Sequence, residues 1–322
     1  MKKGILLTFV RVFVSLALII LLLYIMRDKY ADIAARLRRT DLSLFALAIG
    51  IFLVAVVTGA FRLKLIIEAQ DLRVTFGETL SLAFIGYFFN NFLPTTIGGD
   101  VVKGYYLSKK TNEKMGSYSA IFVDRVIGLF TMIFMAFFAL LFAGSQFSDN
   151  RVRYLIYLTT AISVTGIIFI TSKSFARLFS FLLVFMKPFE DKIRRAYEVI
   201  HRYKHRRLLM YQSFFISIIS QIFFFLSLGM LALSIGSKIR IMDLLLRMPV
   251  ISALSLLPSI NGLGVRESST VVFFGPLIGK ENAFAVSILW LLVLFIVSVA
   301  GGIVYATHPQ FKIKWKEVEA AE

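Results

Sequence analysis

The sequence predicts an all-α integral membrane protein with six full transmembrane helices and two re-entrant helical hairpins in an inverted repeat. Three observations carry this. The 322-residue chain is 58% hydrophobic and 17% charged, with mean hydropathy +0.80, more apolar surface than one soluble core can hide. Six apolar stretches are long enough to cross a bilayer, which takes about 20 residues. Two further stretches are too short, and each runs into Leu-Pro, a hydroxyl residue and Gly-rich chain.

The full spans are Ile5–Met26, Leu42–Phe61, Val126–Gly144, Val152–Thr171, Leu208–Ile235 and Ala283–Ala306. The first begins Met1-Lys2-Lys3 like a signal peptide, but its apolar stretch is long and no clear A-x-A site follows, so it reads as a retained helix. Arg11 is near enough to one end to snorkel. The short stretches are Glu78–Leu93, ending in Pro94-Thr95-Thr96-Ile97-Gly98-Gly99-Asp100, and Asp243–Leu257, ending in Pro258-Ser259-Ile260-Asn261-Gly262-Leu263-Gly264. Each is followed by another short apolar piece, Val101–Leu107 or Ser268–Ile278. Proline and glycine end helices and permit tight turns. The physical reading is a half-helix in, an irregular tip and a half-helix out, with the tip lining a polar cavity or buried in protein.

Charge orients the chain. The net charge is +17, which in a soluble protein suggests nucleic acid; here cytoplasmic loops and anionic lipid heads account for it, and no nucleic-acid partner is expected. With both termini cytoplasmic and each hairpin returning to its side of entry, 22 Lys and Arg fall inside and 10 outside. The loop after the first span, with five basic residues outside, runs against this orientation. Counting each hairpin as one crossing keeps the termini inside but expels the 173–207 segment, the most basic in the chain. The predicted location is the cytoplasmic (inner) membrane.

The two tips align at an offset of 164, Leu93-Pro94-Thr95-x-x-Gly98 on Leu257-Pro258-Ser259-x-x-Gly262. Each hairpin lies between two full spans, and the two enter from opposite sides, a recurring plan of secondary transporters. The chain reads as one polytopic domain: first helix and loop 1–41, first repeat half plus an extra helix 42–171, basic interfacial segment 172–207, second half 208–306 and cytoplasmic tail 307–322.

Three motifs occur in order: Asn90-Asn91-Phe92-Leu93-Pro94-Thr95-Thr96-Ile97-Gly98-Gly99-Asp100-Val101-Val102-Lys103, Asp124-Arg125-Val126-Ile127-Gly128-Leu129 and Gly262-Leu263-Gly264-Val265-Arg266-Glu267. Together they resemble the lysylphosphatidylglycerol synthase transmembrane-region family, a flippase-like domain found alone in many prokaryotes and fused to a synthase in the multiple peptide resistance factor. The resemblance covers most of the chain and implies a membrane domain tied to lipid translocation. The short tail after Ala306 fits a stand-alone member without the soluble synthase domain.

The expected site is the pair of tips. Helix N-termini near Gly99-Asp100 and Gly264-Val265 suit phosphate, and glycine lets an anion approach the backbone. The candidate substrate-binding residues are Asn91, Pro94, Thr95, Thr96, Gly98, Gly99, Asp100, Lys103, Pro258, Ser259, Asn261, Gly262, Gly264, Arg266 and Glu267. Thr95, Thr96, Ser259 and Asn261 offer neutral donors; Lys103 and Arg266 offer positive charge. Gly and Pro also shape turns, and Thr or Ser also cap half-helices. Asp124 and Arg125 sit at membrane depth, where charges are paired, and are assigned mainly to structural ion pairs. Arg125 is in reach of Asp100, and Asp124 of Lys103 or Arg266.

No cofactor or metal is expected. There is no Cys, and the Glu198, His201, His205 spacing is surrounded by Arg202, Lys204, Arg206 and Arg207, which repel a cation. That segment, with Phe189, Ile193, Tyr197 and Ile200 as an apolar stripe, reads as an interfacial helix, and Phe311–Trp315 as another. No Walker, G-x-S-x-G or H-E-x-x-H sequence supports an enzyme. The leading function is a flippase-like transporter of a phospholipid or polyprenyl-phosphate-linked lipid. The alternatives are an intramembrane transferase on a lipid-linked donor, with Asp100 or Glu267 as base, and a small-solute transporter or channel. The expected partners are anionic membrane lipids; a homo-oligomer and a lipid-modifying enzyme partner stay open.

Overall fold

The computed structural model describes residues 16–17, 19–93, 98–143, 149–171, 203, 206–256, 259 and 261–307. Pro94, Thr95, Thr96, Pro258, the Glu198/His201/His205 spacing and the Phe311–Trp315 tail lie outside them, as does most of the first span. Every regular element among the described residues is a helix, with no strand among them. Residues 19–26 are helical and pass through a 3-10 turn, Arg27–Lys29, into α1, Tyr30–Arg38.

Four described helices are long and apolar enough to cross a membrane: α2 (Leu42–Glu68), α5 (Lys114–Ala143), α7 (Arg207–Ser234) and α10 (Lys280–Thr307). The protein is therefore a multi-pass helical membrane protein. Asp41 starts α2 by accepting from the Ser43 and Leu44 amides at 2.8 and 3.1 Å. The helix runs past the predicted end at Phe61, because Leu63, Leu65, Ile66 and Ile67 keep burying a face. Likewise α5 starts well before Val126, so Asp124 and Arg125 are interior helical residues. α6, Asn150–Thr171, packs on α5 and on the helix Ile241–Leu254. Many large apolar side chains on the outer surface stay exposed, among them Leu42, Phe142, Leu208, Phe215 and Ile303, as lipid-facing helices require.

The shorter helices form two helical hairpins. α3 (Phe76–Phe92) starts on a capping box made by Thr75 and Glu78. α4 (Gly98–Thr111) folds back along it, with Asn90 bonded to the Gly99 amide at the tip and Glu78 ion-paired with Lys110 at the base. Gly86 makes room for this return: the Lys103 stem lies where a Cβ would stand. α8 (Ile241–Leu254) and α9 (Val265–Ile278) form the second hairpin, joined where Arg247 Nε donates to Phe273 O at 3.0 Å. Its tip turns through Asn261, Gly262 and Gly264 at φ +47°, +75° and +81°, left-handed positions that glycine and asparagine tolerate.

Two apolar clusters fill the body. One joins α3, α4 and the last turns of α2; the other joins α6 to α10 with the first half of α2 and the second half of α5. α2 and α7 lie close along their length, where Gly59 faces Ser220 and Ser227 Oγ donates to Ala48 O at 2.8 Å. The candidate site lies where the clusters meet.

Candidate functional site

A cavity of ≈ 360 Å³ opens between α2, α3, α4, α5, α7 and α8. Five charged side chains among the described residues line it: Arg62, Asp100, Lys103, Asp124 and Arg125. Adjacent residues on a helix point about 100° apart, so Asp124 and Arg125 reach in different directions. Arg125 Nη1 donates to Asp100 Oδ2 at 2.6 Å, tying α5 to α4. Asp124 Oδ1 accepts from Arg62 Nε at 2.7 Å, tying α5 to α2. Lys103 Nζ donates to the other Asp100 oxygen at 2.9 Å, and Arg62 Nη1 to Ser217 Oγ at 2.8 Å. The acid–base dipeptide thus clamps α5 between its neighbours. All five side chains stay partly exposed, from 12% for Arg62 to 28% for Arg125, because they face the cavity.

Neutral polar groups complete the wall: Tyr87, Asn90, Ser220, Gln221 and Ser252. Gln221 Nε2 reaches Gly128 O at 3.3 Å across the α5–α7 seam. Among the described residues no three His, Cys, Asp or Glu are grouped to hold a metal.

The tips meet beside this cavity. Asn261 Nδ2 donates to Asn91 Oδ1 across 170 residues of chain. The exit-helix amides singled out by the sequence already have partners: the Gly99 N–H donates to Asn90 Oδ1 at 2.8 Å, and the Gly264 N–H to Glu267 Oε2 at 2.7 Å. Gly98, Gly99, Gly262, Gly264 and Ser259 are buried. These two amides are thus taken, and the charge that could meet a phosphate lies on side chains in the cavity.

The structure brings Asp100, Lys103, Asp124 and Arg125 together there. It does not bring Arg266 or Glu267. Arg266 donates from Nε and Nη2 to Glu267 Oε1 at 3.0 and 2.7 Å, and its guanidinium carbon lies 5.0 Å from the Trp290 ring centroid. Both charged side chains are buried, at 5% and 8% exposure. Asp124 pairs with neither Lys103 nor Arg266 but with Arg62, which sequence reading had placed past the end of its span. The overlooked signal was the apolar pattern from Leu63 to Ile67, which continues the helix through Arg62.

The family model described as the lysylphosphatidylglycerol synthase TM region matches residues 9–302. The chain belongs to this family. The matched stretch takes in both hairpins and every residue lining the cavity. Two relatives are similar along most of their length. The UPF0104 membrane protein PH1989 of Pyrococcus horikoshii is 28% identical over 304 residues, covering 82% of this chain and 87% of that protein. The UPF0104 membrane protein MJ1595 of Methanocaldococcus jannaschii is 28% identical over 268 residues, covering 76% and 78%.

Proposed function

We propose that the protein moves a phosphate-bearing lipid between the leaflets of the cytoplasmic membrane, with the cavity receiving the head group. The observation that carries this reading is the cavity itself, lined by three cations and two carboxylates inside an apolar helical body. Charges at membrane depth are costly and mark pathways for polar cargo. Three cations share two carboxylates, so a phosphate can pair with the cations that share Asp100 without stranding a carboxylate. At ≈ 360 Å³ the cavity is near the lower bound for ligand sites, the size of a head group rather than of a whole lipid. Membership in a lipid-synthase membrane-region family supports a lipid as cargo.

In this reading the chain has six full spans, both hairpins are re-entrant, and the halves 42–171 and 208–306 form the inverted repeat. The touching tips close the route, and their separation opens it to one leaflet at a time. Both termini face the cytoplasm.

The test is reconstitution of the full chain into vesicles with fluorescent phospholipid and polyprenyl-phosphate probes, followed by dithionite bleaching. Inner-leaflet probe becomes bleachable faster with protein than without, and Arg125→Gln slows it. Rates equal to those of protein-free vesicles across the whole probe set sink the reading. A new lipid product by mass spectrometry, without translocation, supports the transferase instead.

A further inference from the structure

We infer that the cavity selects head groups of net charge −1, phosphodiesters whose remaining head group is uncharged, over zwitterionic and cationic lipids. This rests on the proposed lipid-binding role and names its cargo class. The charge balance of the cavity carries it. Arg62, Lys103 and Arg125 face Asp100 and Asp124, leaving the described lining at +1. The surplus lies at one place: Asp100 is shared by Lys103 and Arg125, while Asp124 meets Arg62.

Among the described residues, the other charges nearby do not change the sum. Residues 94–97, 257, 258 and 260 of the sequence carry no ionisable side chain. Arg266 and Glu267 neutralise each other away from the cavity, and buried Arg247 is matched by Asp243 at 2.6 Å. Each hairpin also brings one helix C-terminus and one N-terminus to its tip, and their partial charges of about half a unit cancel.

A net charge in a low-dielectric site is costly, so the favoured ligand is the one that cancels it. A −1 phosphodiester takes the site to zero. A zwitterion leaves it at +1, an aminoacylated phosphodiester with net +1 raises it to +2, and a phosphate dianion overshoots to −1. The rest of the wall agrees. Asn90, Ser220, Gln221 and Ser252 are neutral hydrogen-bonding groups, suited to glycerol or sugar hydroxyls. None is a carboxylate available to an ammonium head.

The experiment measures binding of three lipids with identical acyl chains to the purified full chain: phosphatidylglycerol (−1), phosphatidylcholine (zwitterionic) and lysyl-phosphatidylglycerol (+1). The rest of this basic chain attracts anionic lipid unspecifically, so the comparison is repeated at about 0.5 M salt, where exposed charges are screened beyond a few Å. Phosphatidylglycerol is expected to bind about tenfold tighter than either competitor, and to keep that margin in salt. Arg125→Gln, which brings the lining to zero, should cut the margin to about threefold or less, and Lys103→Gln should do the same. Equal binding of all three lipids by the wild-type protein overturns the inference, whatever the variants do. So does a preference that disappears in salt, which assigns it to the basic surface. Translocation of the same lipids is read separately. Selective binding without translocation removes the transporter reading and leaves the charge selection standing; translocation without head-group preference does the reverse.

Discussion

Asn261, at the tip of the second hairpin, donates its side-chain amide to the Asn91 carbonyl beside the first tip, 170 residues earlier in the chain. Asn91 lies in the last turn of α3, before the first Leu-Pro, and Asn261 in the turn that leads into α9, after the second. A direct bond between such tips joins the two hairpins beside the charged cavity.

That bond should be measurable as coupling. Asn91→Ala and Asn261→Ala each strand one polar partner and should each lower stability by about 1–3 kcal/mol. The double variant should cost less than the sum, by about 1 kcal/mol. Thermal unfolding in mild detergent reads this. Strict additivity would mean that the tips do not touch in solution.

The clamp made by Asp124 and Arg62 gives a second prediction. Asp124→Asn leaves Arg62 with Ser217 alone, and a half-buried cation without its carboxylate is destabilising. Loss of one partner of a fully buried pair costs about 3–5 kcal/mol; the open cavity reduces this. Arg62→Gln combined with Asp124→Asn should melt higher than Asp124→Asn alone. If the double variant melts lower, Arg62 and Asp124 serve separate partners.

Helix packing supplies the third. A Cβ at Gly301 would overlap the backbone oxygen of Phe84 where α10 crosses α3. Gly301→Ala should therefore lower stability by about 1–3 kcal/mol through forced separation of the helices. Gly50 on α2 has nothing within 4 Å of a built Cβ. Gly50→Ala should be neutral or stabilising by up to about 1 kcal/mol. The contrast between the two melting temperatures is the check.

Much of this was legible in the chain itself. Leu-Pro followed by Gly marked both breaks, and the short runs before them marked short helices, α3 of 17 residues and α8 of 14. Arg125 was within reach of Asp100 because four helical turns of α4 and α5 had to lie side by side after so short a connection. The rest depended on helix ends. Apolar runs stop where charge begins, but helices stop where backbone hydrogen bonds fail. α2 therefore carries Arg62 inward although hydropathy places it in a loop. The role of Arg266 was also hidden: its neighbour Glu267 is visible in the sequence, but Trp290 comes from a different helix.

Orientation is the fourth prediction. Residues 173–207 hold ten Lys and Arg against three acids, the strongest charge of any connecting segment. In the proposed topology they face the cytoplasm. The chain has no cysteine, so a single Lys192→Cys substitution reports cleanly. An impermeant thiol reagent should label it in inverted vesicles and not in intact cells; labelling of intact cells reverses the topology.

The last prediction separates Arg266 from Lys103, which the sequence had grouped as two phosphate ligands. Their surroundings differ. Lys103 lines the cavity and shares Asp100 with Arg125. Arg266 is 5% exposed, spans both its hydrogen bonds to Glu267 and lies over Trp290. Glu267 in turn accepts from the Gly264 amide, so the pair holds the first turn of α9 and the left-handed tip before it. Arg266→Gln leaves Glu267 buried with its charge half-answered, a loss of about 3–5 kcal/mol when the desolvated partner cannot reach water. Lys103→Gln leaves Asp100 with Arg125 and a cavity to hydrate it, so its cost is smaller. Melting temperature should therefore fall further for Arg266→Gln than for Lys103→Gln. The folded fraction of Arg266→Gln should keep the wild-type margin for phosphatidylglycerol, while Lys103→Gln cuts it to about threefold or less. A stable Arg266→Gln protein with weakened lipid binding would return Arg266 to the site and move the cargo from the cavity to the second tip.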